Sequence, residues 1–443
     1  MYRLYGALLA LGWAAVLPYQ TLMGIRKRTP LPALRERLGS LPKVAVGGFW
    51  VHAVSVGEVR LALRLLKELK RLFPGAPVHL TTGTATGRSL AVSGDGGAAP
   101  DSVGALPFDL PFAMGRLLDR LRPRAVLVLE TEIWPNLLRG CERRGVPVLL
   151  INGRISRRSH PRYRVIRPFL RRVLPGFRIL GMQSAEDAER IIGLGAPRER
   201  VRVTGNLKFD LDPPREDRAA LRSRLGVEDT TPLFVAGSTA PGEETPVLEA
   251  LATLRLTDRR ARLILAPRHP GDFAAAARAA RAAGLRVASW SGIAEGPAAG
   301  GRAGGGENGP WDVLVLDALG VLPRVYAAAD LVFVGGSLTR RGGQNVLEPA
   351  AQGHPVLFGP HMENFQSISE ALVAAGAGFV VRDAVEMGAR LAGLLRDRGA
   401  YETASARAAG VVQSNRGALR RSLSLIEEAL APAAGADLRA AGT

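Results

Sequence analysis

Two series of short apolar runs, each run followed by a longer amphipathic stretch, constrain this chain more than any other feature. The first series reads FWVHAVS, PVHLTTGT, VGALPFD, AVLVLETE, PVLLING, RILGMQS and RVRVTGN. The second reads PLFVAGST, RLILAPR, LRVASW, DVLVLDAL, LVFVGGS, HPVLFGP and GFVVRDA. Runs that are apolar throughout predict strands buried on both faces, and helices between them imply parallel pairing. The expectation is an α/β protein with two doubly wound, Rossmann-like domains. At 443 residues the chain can hold two cores of roughly 200 residues each. The alternation breaks at FDLDPPRED, where two prolines sit among charges between Asp210 and Asp217, and the linker is expected there.

The N-terminus adds a different signal. No charged residue occurs from Leu4 to Ile25, and Arg26-Lys27-Arg28 follows at once. That run is long enough to cross a bilayer as a helix, and the basic flank would keep the following domain in the cytoplasm. Only Arg3 precedes it, unlike a cleaved leader. Gly12, Pro18 and Gln20 weaken a full span, so the anchor either crosses the membrane or lies in its interface. The boundaries read from sequence are an anchor at 1–28, a first domain at 29–212, a second at 213–400, and a C-terminal helix and tail at 401–443. The Gly/Ala-rich stretch 292–310 reads as a surface loop.

A formal charge of +19 suggests an anionic partner such as a membrane surface or a phosphorylated substrate, although a compositional bias toward Arg contributes. Lysine occurs only at 27, 43, 67, 70 and 208. Nucleic acid is not expected, because there is no zinc-ligand spacing and no aromatic-rich RNA-binding signature. The single cysteine, Cys141, excludes an internal disulfide. No H-x-x-x-H or H-E-x-x-H occurs, and neither a metal nor a cofactor is expected.

Open α/β sheets bind ligands at the carboxyl ends of their strands, so polar residues just after strands are the site candidates. Ser55-Val56-Gly57-Glu58 can be read two ways, as a capping box or as a carboxylate placed to accept a proton. In LVLETEIWPN, Glu130 and Glu132 end a buried strand; a cap or an Arg ion pair is the plain alternative for them. Asn152, Arg154, Ser156 and Ser159 follow the next strand as a basic lip. In the second half, Gly237-Ser238-Thr239, Gly335-Gly336-Ser337 and Gly342-Gly343-Gln344-Asn345 could bring backbone N–H groups to a nucleotide's phosphates, with Glu348 toward ribose hydroxyls. Arg268 and His269 leave a strand together in LAPRHP, which suits an anion.

In order, VHAVSVGEV, TTGTATG, ETEIWPNLL, GRISRRS, TGNLKFD, AGSTAPGEE, APRHP, VGGSLTRRGGQNVLEPA and GPHMENF resemble segments of 3-deoxy-D-manno-octulosonic acid (Kdo) transferases. The resemblance implies a GT-B glycosyltransferase, with two domains facing a cleft and an N-terminal membrane-anchor helix. It implies inverting transfer of Kdo from CMP-Kdo to a lipid A precursor, lipid IVA, at the cytoplasmic face of the inner membrane in lipopolysaccharide synthesis. Glu58 matches the family's catalytic base, and Arg268, His269, Gly336, Ser337, Asn345 and Glu348 resemble its CMP-Kdo site. From their strand-end positions, Ser55, Gly57, Glu130, Glu132, Arg154 and Ser156 are the acceptor-side candidates, and Gly237, Ser238 and Thr239 join the donor side. Arg268 and the amides of the Gly loops would then hold the departing CMP. The phosphate loops do not themselves specify cytidine, so a lipid-directed transferase with another nucleotide sugar is the alternative. Two departures stand out. Gln344 replaces a common His, and Thr239-Ala240-Pro241-Gly242-Glu243 replaces a Thr-His-Glu-Gly-Glu pattern.

Overall fold

The computed structural model describes residues 5, 6, 9, 12, 34–40, 44–94, 98–210, 212–214, 216–294 and 310–431. The expected anchor therefore lies almost wholly outside the described residues, as does most of the 292–310 loop. Among the described residues no helix is long and apolar enough to cross a membrane. The chain divides into two compact units, Met1–Asp210 with Arg416–Thr443, and Leu211–Asn415.

The first unit is built on a seven-stranded sheet. Its strands are β1 (Phe49–His52), β2 (Val78–Thr82), β3 (Ser102–Ala105), β4 (Ala125–Leu129), β5 (Val148–Gly153), β6 (Ile179–Met182) and β7 (Val201–Val203). Every pairing is parallel, in the order β3-β2-β1-β4-β5-β6-β7. Alternate residues enter different cores. Trp50, Val126, Val128 and Leu150 pack into one, while Phe49, Val51, Leu127 and Ile151 pack into the other. That is why each strand reads as apolar throughout.

The second core of this unit is completed from the far end of the chain. Leu423, Leu425 and Ile426 of the helix Ala418–Leu430 pack beside Leu65, Leu66 and Leu69 of the helix Val56–Leu72. Asp210 fixes the returning helix, because its carboxylate accepts from Gly417 N and Leu419 N, each at 2.5 Å. The segment read as a C-terminal helix and tail at 401–443 holds parts of two helices that fall in different units. A helix Arg398–Asn415 belongs to the second unit, and Ala418–Leu430 belongs to the first.

The second unit also carries seven parallel strands: β8 (Leu233–Thr239), β9 (Arg262–Pro267), β10 (Val287–Ser289), β11 (Val313–Val315), β12 (Leu331–Val334), β13 (Val356–Phe358) and β14 (Gly378–Val380). Their order is β10-β11-β9-β8-β12-β13-β14. In each unit the first strand pairs with the second on one side and with a later strand on the other, β4 beside β1 and β12 beside β8. Connections leave such a pair toward opposite faces, which opens a crevice at the carboxyl ends.

Arg222 anchors the start of the second unit. Its side chain is fully buried; Nη1 donates to Ala328 O at 2.7 Å and to Asp330 Oδ2 at 3.1 Å, and Nη2 donates to Glu228 O at 2.7 Å. Asp330 also accepts from Leu233 N at 2.8 Å, which ties the pair to the first residue of β8. Removing the acid strands a buried guanidinium. Asp330→Ala is expected to lower stability by about 3–5 kcal/mol, read from the urea unfolding midpoint.

Candidate active site

The crevice of the first unit lies after β1 and β4. Ser55 caps the helix Val56–Leu72, and the capping box is complete. Ser55 Oγ accepts from Glu58 N at 3.3 Å. In return, the Glu58 carboxylate accepts from Val54 N at 2.8 Å, Ser55 N at 3.3 Å and Ser55 Oγ at 2.7 Å. Glu58 is 9% exposed. Gly57 stands exposed on the same turn, where an added Cβ would meet only Ser55 Oγ at 3.8 Å. The cap half of the two-way reading is therefore realised. It does not exhaust the carboxylate, because two oxygens offer about four lone-pair sites and three are used.

Glu130 leaves β4 with φ +54, in the left-handed region that a side chain rarely occupies. Asn152, at the end of neighbouring β5, is likewise left-handed at φ +59 and is fully buried. Its Oδ1 accepts from Leu207 N at 2.9 Å, which brings the segment Asn206–Phe209 to the same edge. Lys208 arrives with it. Burial raises the Glu130 carboxyl, with Glu58 adding to the rise and Lys208 and Arg154 opposing it. Burial likewise pushes the Lys208 ammonium down, against Glu130 and Glu58. Glu132 is held up at about 7, first by burial and then by the charges of Glu58 and Glu130. Three carboxylates and two cations thus act on one another at this edge. Among the described residues no group of three His, Cys, Asp or Glu forms a metal-ligand set.

Glu132 does not serve as the helix cap that was its plain alternative. The helix Pro135–Glu142 is satisfied by Asp109, whose carboxylate accepts from Asn136 N at 2.9 Å and Leu137 N at 2.8 Å. Arg154 is half-buried and holds Thr131 through its own backbone, with Arg154 N donating to Thr131 Oγ1 at 3.1 Å. Ser156 turns toward Ser159, their hydroxyls 2.8 Å apart, and so shapes the local turn. His52, buried beneath this edge with its ring against Trp134, is pushed down to about 4 by desolvation and is neutral at physiological pH.

In the second unit the amides of one of the three Gly loops, from Gly336 to Thr339 after β12, are already engaged within the protein. The Glu243 carboxylate, fully buried, accepts from Gly336 N at 2.7 Å, Ser337 N at 2.9 Å, Leu338 N at 2.8 Å, Thr339 N at 3.3 Å and Ala240 N at 2.9 Å. Ser337 is buried, its hydroxyl donating to Val334 O at 2.6 Å and accepting from Gly359 N at 2.8 Å. Gly237 and Thr239 lie within β8; a Cβ at Gly237 would fall 2.0 Å from the Tyr326 hydroxyl, so this glycine makes room for a core tyrosine. Ser238 between them is left-handed, φ +55. Asn345 Nδ2 donates to Glu348 Oε1 at 2.9 Å, so these two engage each other. Arg268 and His269 are exposed just beyond β9.

Residues 32–211 match the family model described as 3-deoxy-D-manno-octulosonic-acid transferase (kdotransferase). A 3-deoxy-D-manno-octulosonic acid transferase of Bordetella pertussis is 37% identical over 405 residues, covering 90% of this chain and 91% of the relative. The chain belongs to the Kdo transferase family. One from Haemophilus influenzae is 32% identical over 432 residues, 96% of this chain and 97% of the relative. Two solved structures share the fold alone. A UDP-GlcNAc 2-epimerase from Neisseria meningitidis has TM-score 0.57 at 13% identity, covering 86% of this chain and 100% of that one. A glycosyltransferase from Rickettsia africae has TM-score 0.55 at 14%, covering 87% and 99%.

Against this Kdo transferase's sequence, three residues of the two edges were missed. Lys208 carried a usable signal, since lysine is scarce in an Arg-dominated chain and this one follows a strand. Asp109 sits after β3 and carried a weaker one. Glu243 was visible only as the last residue of the Thr239–Glu243 motif, because four of its five partners are more than ninety residues away. Glu132 generates a pH prediction. The folded chain holds its proton above the ordinary value of 4.5, up to about 7. Its contribution to stability is therefore present at low pH and is lost as pH rises through that window. Glu132→Gln is expected to melt above the parent at about pH 8, with the gap closing toward about pH 5. A gap independent of pH would contradict the placement.

Proposed function

We propose that this Kdo transferase moves Kdo from CMP-Kdo to a lipid A precursor such as lipid IVA, inverting the sugar, at the cytoplasmic face of the inner membrane in lipopolysaccharide synthesis. The observation that carries the reading is Glu58 at the crevice of the first unit, with one acceptor site left beyond its cap and Glu130, Glu132 and Lys208 around it. The acceptor hydroxyl donates to that site. As its oxygen bonds to the anomeric carbon, its proton passes to Glu58 and the bond from sugar to CMP phosphate breaks. On the donor side the amides of Gly336 to Thr339 are taken by Glu243, which favours cationic side chains as partners for the phosphate and the sugar acid. Arg268 is the first candidate, exposed at the end of β9.

A lipid acceptor needs a surface at the bilayer. The helices His160–Val165 and Arg167–Val173, with the turn before them, expose Arg157, Arg158, Arg162, Arg164 and Arg167 around Val165, which is 81% exposed, and Ile166. Apolar side chains ringed by arginine suit the headgroup layer of an anionic leaflet. Tyr5, at the start of the apolar N-terminal run, packs beside this surface, its ring 5.6 Å from that of Phe169.

Glu58→Gln keeps one acceptor oxygen for the cap and should cost only about 1 kcal/mol of stability. It is expected to lower transfer by roughly 10²–10⁴-fold in an assay with CMP-Kdo and lipid IVA. A variant that folds and still turns over near the parental rate would sink the assignment. Reversing two charges, Arg162→Glu with Arg164→Glu, should weaken cosedimentation with vesicles containing anionic phospholipid at least about tenfold, each basic residue near the surface contributing about 1 kcal/mol. Transfer to detergent-dispersed acceptor should persist.

A further inference from the structure

We propose that Glu243 is a positioning residue for the donor: its carboxylate is a built-in anion that fills the amide cradle after β12 and fixes the path of the loop from Gly335 to Asn345. The proposal rests on the reading that the second unit takes the nucleotide sugar. An edge where a glycine-rich loop follows a strand ordinarily presents free N–H groups to phosphate. Here four such groups, joined by Ala240 N from the end of β8, converge on one side chain instead. Glu243 immediately precedes the helix Glu244–Arg255 as its N-cap residue yet makes no side-chain cap to it. It reaches from the end of β8 to the end of β12, the two strands that define the crevice.

The neighbouring residues fit that role. A Cβ at Gly335 would fall 2.5 Å from Glu243 Oε2, so glycine is required for the carboxylate to enter. Gly336 is left-handed at φ +66, which turns its N–H and the next ones inward. Ser337 extends the tie to β13 through Gly359 N. Three strand ends are thereby locked before the loop continues to exposed Arg340 and Arg341 and on to Gln344 and Asn345. A donor phosphate is excluded from the cradle and meets side chains carried on a loop whose course Glu243 sets.

Charge and shape make the test specific. Five N–H donors face this group, so a carboxylate satisfies them while an amide turns its own NH₂ toward donors. Gln is therefore not a conservative substitute here. Glu243→Ala leaves room for a small carboxylate, and formate should occupy it. The full-length Ala and Gln variants would be compared with the parent for CMP-Kdo KM and kcat at saturating acceptor, and for melting, in formate or in chloride at equal ionic strength.

Expected for the Ala variant is a rise in donor KM of roughly 10- to 100-fold, the scale for a lost charge-assisted network. Formate and not chloride should reverse that rise in part and raise the melting temperature. Expected for the Gln variant is a similar defect with no response to formate. An Ala variant that folds only in formate would support the proposal by that dependence. A donor KM within about twofold of the parent would overturn it, even with formate-specific stabilisation. So would a Gln variant of parental activity, or an Ala variant indifferent to formate. If the parent itself binds no CMP-Kdo, the donor assignment fails separately. Melting then decides the cradle alone: formate-specific stabilisation upholds the built-in anion, and its absence overturns it.

Discussion

A parallel sheet gathers the N-termini of its helices along one edge, and each arrives with N–H groups that have no partner inside the helix. At some of these ends, and at the loop amides beside them, this chain supplies carboxylates. Glu58 closes its own capping box, Asp109 accepts from Asn136 N and Leu137 N, Asp210 holds the returning helix, Asp187 accepts from Ile155 N, and Glu243 gathers five amides. Acids at the carboxyl edge are thus mostly structural. Because Asp109 serves the helix Pro135–Glu142, Glu132 is not consumed there, and it stands near Glu58 and Glu130 with its proton held up at about 7.

How much of this was legible follows from range. Strands declared themselves because burial on both faces leaves them apolar at every position, and the fourteen runs read from sequence match β1 to β14 in order. Strand order was not legible. The placement of β11 between β9 and β10 depends on crossover packing that no local pattern encodes. The C-terminal segment misled for a similar reason, since the division between its two helices is fixed by Asp210, more than two hundred residues upstream. At the site, Glu58 could be placed on a helix start from S-x-x-E alone, whereas Lys208 comes near it only because Asn152 Oδ1 holds Leu207 N.

The glycine loops show the limit of motif reading most sharply. A glycine signals that something approaches the backbone closely, but not what. Gly335 admits the Glu243 carboxylate, Gly237 admits the Tyr326 hydroxyl, and Gly336 lies against Gln344, whose Cγ would be 3.2 Å from an added Cβ. None of these close approaches is by a ligand. Gln344, where the family resemblance led to the expectation of a His, is set against that glycine, in the loop that follows the Glu243 contacts.

The cluster around Glu58 can also be read as a charge count. With Glu132 protonated, Glu58 and Glu130 oppose Lys208 and Arg154, and the edge is balanced. Ionising Glu132 adds a third negative charge where water is scarce, and burial has already pushed both Glu130 and Lys208 toward their neutral forms. A proton held on Glu132 therefore relieves the crowding of negative charge at this half-buried edge. Those titrations are coupled, so a ligand that brings charge to this edge must shift the proton on Glu132 as well as occupy space. A neutral hydroxyl approaching Glu58 does not impose that shift. An acidic group placed beside the carboxylates does, unless Lys208 or Arg154 receives it. Any anionic group brought to this edge is therefore steered toward its cationic side, Lys208 and Arg154.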